Sequence, residues 1–160
     1  MNNAPSFPRA TALRIGALVC AIFFSGCEFD VPLTVKSTRP VQQKLIGDWT
    51  SVDGKDQMRV RQLDVDSYAI AYNGELYRAH HSDFADTPFV SVLHLDAENR
   101  KYAVLAWELV EENNRLRLRV VSSKVVATAA STPAALQKDV ERHLGDTALF
   151  EVKQEYIRNP

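Results

Sequence analysis

From residue 44 onward, apolar and polar side chains alternate along most of the chain, and the alternation breaks at turn-forming residues. This pattern predicts about eight short strands. Lys44 to Ser51 reads as the first, after a short helical turn at Val41 to Leu45, and it ends in the turn Asp53-Gly54. Gln57 to Leu63 alternates as the second and stops at Asp64 to Asp66. Ser67 to Ser82 is the clearest hairpin. A type I′ turn needs positive φ at both central residues, which Asn73-Gly74 supplies. That turn pairs Tyr72 with Glu75, Ile70 with Tyr77 and Tyr68 with Ala79. Tyr68, Ile70, Tyr77 and Ala79 then share the better core face, with Ala69, Ala71, Leu76, Arg78 and His80 on the other.

Phe89 to Leu95 predicts a further strand, entered through the loop Asp83 to Pro88. Tyr102 to Ser122 predicts a second hairpin turning at Asn113-Asn114. Its expected register sets Glu112 opposite Arg115, Val110 opposite Arg117 and Glu108 opposite Arg119. Leu105, Trp107, Leu109, Leu116, Leu118 and Val120 occupy the opposite, apolar face. Thr132-Pro133 has the form of an N-cap followed by proline at the first helical position. The stripe Leu136, Val140, Leu144 and the stop Gly145 complete a single late helix. Ser122 to Ala130 before it reads as a short helix or an irregular link. Leu149 to Arg158 alternates again, with Phe150, Val152 and Tyr156 expected on one face. The fold class is therefore mainly β. About eight antiparallel strands form a barrel or strongly curled sheet, which removes exposed edges, with one helix before the last strand.

Gly47-x-Trp49 in the first strand resembles the lipocalin-type signature. In that family the tryptophan plugs one barrel end and a late basic residue packs across it, a part that Arg158 could take by stacking on the ring. The wider pattern, Leu45-Ile46-Gly47-Asp48-Trp49 with Leu149-Phe150 and Tyr156-x-Arg158, looks like a group of lipocalin-like bacterial lipoproteins without an established activity.

The amino-terminal residues follow a different pattern. Arg9 and Arg14 precede an apolar run, Ile15 to Phe24, and no acid appears before Glu28. The run is about half of the roughly 20 apolar residues a membrane-spanning helix needs, which predicts a cleaved signal. Phe24-Ser25-Gly26-Cys27 resembles the lipobox of bacterial lipoprotein signals, with Phe24 where leucine is commonest. The resemblance implies cleavage after residue 26 and a lipid on Cys27. Glu28 in place of aspartate after that cysteine implies the outer membrane, facing the periplasm. The expected organisation is a signal peptide over 1–26, a lipidated amino terminus and flexible tether over 27–43, and one β-domain over 44–160. Fully extended, about a dozen tether residues reach roughly 40 Å and would lift the domain off the bilayer.

Removing residues 1–26 leaves 134 residues with 17 basic and 20 acidic side chains, a net charge of −3. That is no footprint for nucleic acid. Cys20 leaves with the signal, so the mature chain keeps only Cys27 and has neither a disulfide nor a cysteine metal site. His80 and His81 are adjacent and point to opposite faces of a strand, and neither His94 nor His143 has metal-ligand spacing to them. Asp53, Asp56, Asp64 and Asp66 lack a calcium-loop pattern and suit turns. No cofactor is implied and no catalytic motif stands out. Arg115, Arg117 and Arg119, with Arg59 and Arg61, form either a surface for anionic groups or a solvated face matched by Glu108 and Glu112. Tyr68, Tyr72 and Tyr77 either line an apolar ligand cavity or simply fill a small barrel. The sequence thus predicts a lipid-anchored envelope protein acting as an interaction or structural module. The alternative is a carrier of a small apolar ligand inside the barrel.

Overall fold

A computed structural model describes residues 28–95, 100–112 and 114–160, apart from the side chains of residues 152 and 153. The expected signal peptide and Cys27 lie outside the described residues. A 3-10 turn at Gln43–Leu45 leads into β1 (Gly47–Ser51), β2 (Gln57–Gln62), β3 (Tyr68–Tyr72) and β4 (Glu75–His81). Then follow β5 (Phe89–His94), β6 (Tyr102–Val110), β7 (Arg115–Val121), α1 (Pro133–His143) and β8 (Phe150–Arg158). Each strand pairs antiparallel with the next, and β8 returns to β1, so the sheet closes as an eight-stranded up-and-down barrel. Closure leaves no strand edge unpaired.

The first hairpin has the expected register, Tyr72 opposite Glu75, Ile70 opposite Tyr77 and Tyr68 opposite Ala79. Asn73 and Gly74 both take positive φ, 48° and 91°. The second hairpin departs from expectation by two residues: Val110 faces Arg115, Glu108 faces Arg117 and Ala106 faces Arg119. β6 ends at Val110 and β7 starts at Arg115, so the connection is longer than two asparagines. Glu111 and Glu112 take positive φ, and Asn114 N–H bonds the Glu111 carbonyl. A shift of two preserves the side-chain period, so the apolar set still faces inward.

The barrel has two cores, one inside and one outside. Inside lie Trp49, Met58, Val60, Tyr68, Tyr72, Tyr77, Leu105, Trp107, Leu116 and Tyr156 with their neighbours. Outside, Phe89, Val104, Ala106 and Val121 are covered by Leu136 and Val140 of α1, by Val126 of the irregular link, and by Phe29 and Leu33. The helix begins as read: Thr132 Oγ1 accepts from Ala135 N–H at 3.2 Å, with proline next in sequence. It ends with Leu144 still right-handed, so Gly145 does not serve as a left-handed stop.

The expectation of a flexible tether over residues 27–43 needs correction. Phe29 and Leu33 are fully buried. Phe29 exchanges two backbone hydrogen bonds with Tyr102, at 2.7 and 2.8 Å, and Leu33 N–H donates to Ser91 Oγ. Thr38 N–H reaches the His81 carbonyl and Val41 N–H the Val65 carbonyl. Pro32 and Pro40 interrupt any regular ladder. The segment docks instead through Phe29 and Leu33, with Val31 and Val41 partly buried, and through scattered hydrogen bonds, and so belongs to the domain.

A bulge corrects one further expectation. Val120 faces Val152 but Val121 faces Phe150, so one extra residue sits in β8. The insertion reverses the facing of the strand's start. Phe150 therefore stacks on Phe89 outside the barrel, with Arg119 4.4 Å over its ring, while Tyr156 points inside.

Candidate functional site

The up-and-down order places the start of β1 and the ends of β4 and β8 at one rim of the barrel, with the β3–β4 turn and the start of β6 at the other. At the first rim, Trp49 is fully buried and its Nε1 donates to the Leu45 carbonyl at 3.1 Å. The Arg158 guanidinium lies 4.3 Å over the indole ring and donates to the carbonyls of Ile46, at 2.8 Å, and Lys44. A Cβ added at Gly47 would stand 2.6 Å from Arg158 Nη1. Gly47, Trp49 and Arg158 thus form one device: the glycine leaves room for the guanidinium, which pins the 3-10 turn over the tryptophan.

The same rim holds a second cluster that sequence reasoning did not single out. His81 is fully buried, and its Nε2 lies 2.7 Å from the Tyr68 hydroxyl, which also accepts from Gln42 N–H. Trp107 stands 5.7 Å from the His81 ring. Arg39 lies over Trp107 at 5.3 Å and forms a forked pair with Asp83. Burial, and then the neighbouring Arg39, pull the His81 pKa from 6.5 down to about 4, so the ring is neutral near pH 7. The signal was available: the alternation of β4 sends His81 inward with Tyr77 and Ala79.

Tyr72 and Tyr77 point into the barrel toward the opposite rim. There Tyr156 donates to Gln154 Oε1 at 2.7 Å, and Gln154 Nε2 donates to Asp56. Asn73 Nδ2 reaches the other Asp56 oxygen at 2.8 Å. Tyr77 donates to Glu75, and its ring stacks 4.6 Å from His94. Burial pushes the Tyr72 hydroxyl up to about 12, and Tyr156 higher still, so both remain protonated hydrogen-bonding groups. The three tyrosines therefore do not form one constellation: Tyr68 belongs to the plugged rim, Tyr72 and Tyr77 to the other.

Between the rims the side chains nearly fill the interior. Among the described residues, cavities of about 50 and 60 Å³ lie there, adjoining at Met58, Ile70, Val92, Leu105 and Leu118. A dry cavity that takes up benzene measures about 150 Å³. Among the described residues, no group of three or more His, Cys, Asp or Glu is placed to hold a metal ion, and no helix is long and apolar enough to cross a membrane.

Outside the barrel, Arg115 and Arg117 both pair with Glu155, Arg117 also with Glu108 and Arg115 with Glu111. The arginine face is thus matched by acids, and Glu155 of β8 takes the place expected of Glu112. Arg59 and Arg61 converge on Asp48 Oδ1, each at 2.9 Å. Beside them an open groove of about 440 Å³ crosses β1 to β3, lined by Asp48, Lys55, Gln57, Arg59, Ala71 and Asn159 among others. Comparison of the chain with models of known protein families, with curated proteins and with solved structures returned no match.

Proposed function

We propose that this protein is a lipid-anchored, periplasm-facing protein of the cell envelope, held in the outer membrane through Cys27, whose barrel serves as an interaction module. The filled interior carries this reading. Cavities of 50 and 60 Å³ offer no room for a ligand of ordinary size, so the outer surface is the part left to recognise anything. The sequence Phe24-Ser25-Gly26-Cys27 supports the anchor. The polar groove over β1 to β3, with Lys55 and Arg59 beside Asp48, offers mixed charge to a polypeptide partner.

Two experiments test the parts separately. Cys27→Ser is expected to abolish incorporation of labelled palmitate and to move the protein from the membrane to the soluble fraction. Retained label would refute the anchor. A photo-crosslinking residue at Ala71, in the groove, is expected to capture a defined envelope protein in intact cells, and one at the exposed Glu141 of α1 to capture none. Equal or absent capture at both would refute the module. Carriage of a small apolar ligand would require the side chains between the two cavities to move aside. An apolar molecule retained by the purified protein in native mass spectrometry would favour that reading instead.

A further inference from the structure

The lipid anchor has a geometric consequence once the amino-terminal segment is known to be docked. Phe29 is fully buried and fixed by its two backbone bonds to Tyr102. Only two residue steps separate it from Cys27, a reach of roughly 7 Å at most. Acyl chains on Cys27 therefore leave the protein beside the start of β6.

The neighbouring strands reveal what else occupies that rim. Leu95 follows the last residue of β5, whose partner strand β6 begins at Tyr102. Leu95 N–H donates to the Leu76 carbonyl at 3.0 Å, which sets the two leucines side by side on the outer face. They are 40% and 49% exposed. Exposed Arg100 and the pair of Lys101 with Asp30 lie in the same region. An apolar pair beside cations suits the boundary between headgroups and acyl chains. Among the described residues Glu28 and Asp30 are exposed in the same region, Asp30 in its pair with Lys101.

We propose that the barrel rests directly on the bilayer by this rim, with Leu76 and Leu95 seated among the lipid headgroups and the plugged rim facing away. The proposal rests on lipidation of Cys27. β6 has nine residues; at about 3.3 Å per residue and the usual barrel tilt, the plugged rim stands roughly 20 Å farther from the membrane. The anchor then works as a short mount that restricts orientation, which a long tether could not do.

The test uses the full mature protein, acylated in cells and reconstituted in vesicles of phosphatidylethanolamine and phosphatidylglycerol carrying a headgroup nitroxide quencher. Leu95→Cys and Leu63→Cys are each labelled with a small fluorophore; Leu63 is exposed just beyond β2, at the plugged rim. Quenching is expected to be several-fold stronger at position 95. Leu76→Cys repeats the comparison from the adjacent strand, in case one label disturbs the fold. Equal quenching at both rims, or stronger quenching at position 63, overturns the orientation. Palmitate labelling of the same preparations separates the two ideas. Acylated protein without the rim bias sinks the orientation alone, and protein without acyl chains on Cys27 sinks the anchor and the orientation together.

Discussion

His81 makes the stability of this barrel depend on pH in a window where few other groups titrate. The ring is fully buried between Tyr68 and Trp107, and its pKa falls from 6.5 to about 4. Between those values the unfolded chain binds a proton that the folded ring refuses. Stability is therefore whole above pH 6.5, declines as pH falls through the window, and levels off below about 4. The distance from 6.5 to about 4 sets a ceiling of roughly 3 kcal/mol, at about 1.4 kcal/mol per pH unit. About 2 kcal/mol of that loss should fall between pH 7 and pH 5. The carboxylates of Asp48, Asp53, Asp64 and Glu155 are held low by their hydrogen-bond and ion-pair partners. They lose their contribution only as pH drops through and below the ordinary carboxylate range, which keeps the two effects apart. Urea unfolding of the protein at pH 7 and pH 5, alone and with His81→Gln, isolates the ring. The substituted protein starts less stable but should lose clearly less between the two pH values, because His80 and the remaining groups are common to both. Parallel losses in the two proteins would refute the reasoning.

Other perturbations follow from the packing. Trp49→Ala empties a fully buried indole site beneath Arg158 and is expected to cost about 3–5 kcal/mol in chemical denaturation; a near-neutral value would discredit the plug. Gly47→Ala places a methyl 2.6 Å from Arg158 Nη1, so it should cost roughly 1–3 kcal/mol, and Arg158→Ala in the same chain should recover part of that loss. Leu33→Ala tests the docked segment: a loss of about 2–5 kcal/mol is expected, whereas a free tether would give none.

The sequence made most of the barrel legible because its strands follow a period of two and its best turn announces itself. Asn73-Gly74 needs the left-handed region twice, so the β3–β4 register could be written down residue by residue. The β6–β7 turn could not, because Glu111 and Glu112 accept positive φ without any compositional signal. Its facing survived only because the error was an even number of residues. An odd insertion was fatal to the same logic in β8, where a single extra residue carries Phe150 to the outside. The docked segment was illegible for another reason. Phe29, Val31, Leu33 and Val35 do recur at every second position, but Pro32 denies the run a regular ladder, and what Phe29 and Leu33 pack against is a surface assembled from Phe89, Val104 and α1, far away in sequence. Arg158 does lie over the Trp49 ring as expected, although nothing in the residues between β1 and β8 announces that contact. The His81 cluster needed the register of β4 and the crossing of Arg39 over the rim, and only coordinates join those.

The pairing of β8 with β1 also bears on how the chain reaches this structure. Thr50 Oγ1 donates to Asn159 across 109 positions of sequence, and the guanidinium over Trp49 comes from the last strand. Contacts so distant carry the largest loop-closure entropy, whereas the other strand pairings join sequence neighbours, so the seam is the slowest part of the barrel to close. Until the final strand arrives, the backbones of β1 and β7 stand open as templates for another chain. The seam between first and last strand, where β1 meets only Tyr156, Ile157 and Arg158, is therefore where newly made molecules are most exposed to mispairing.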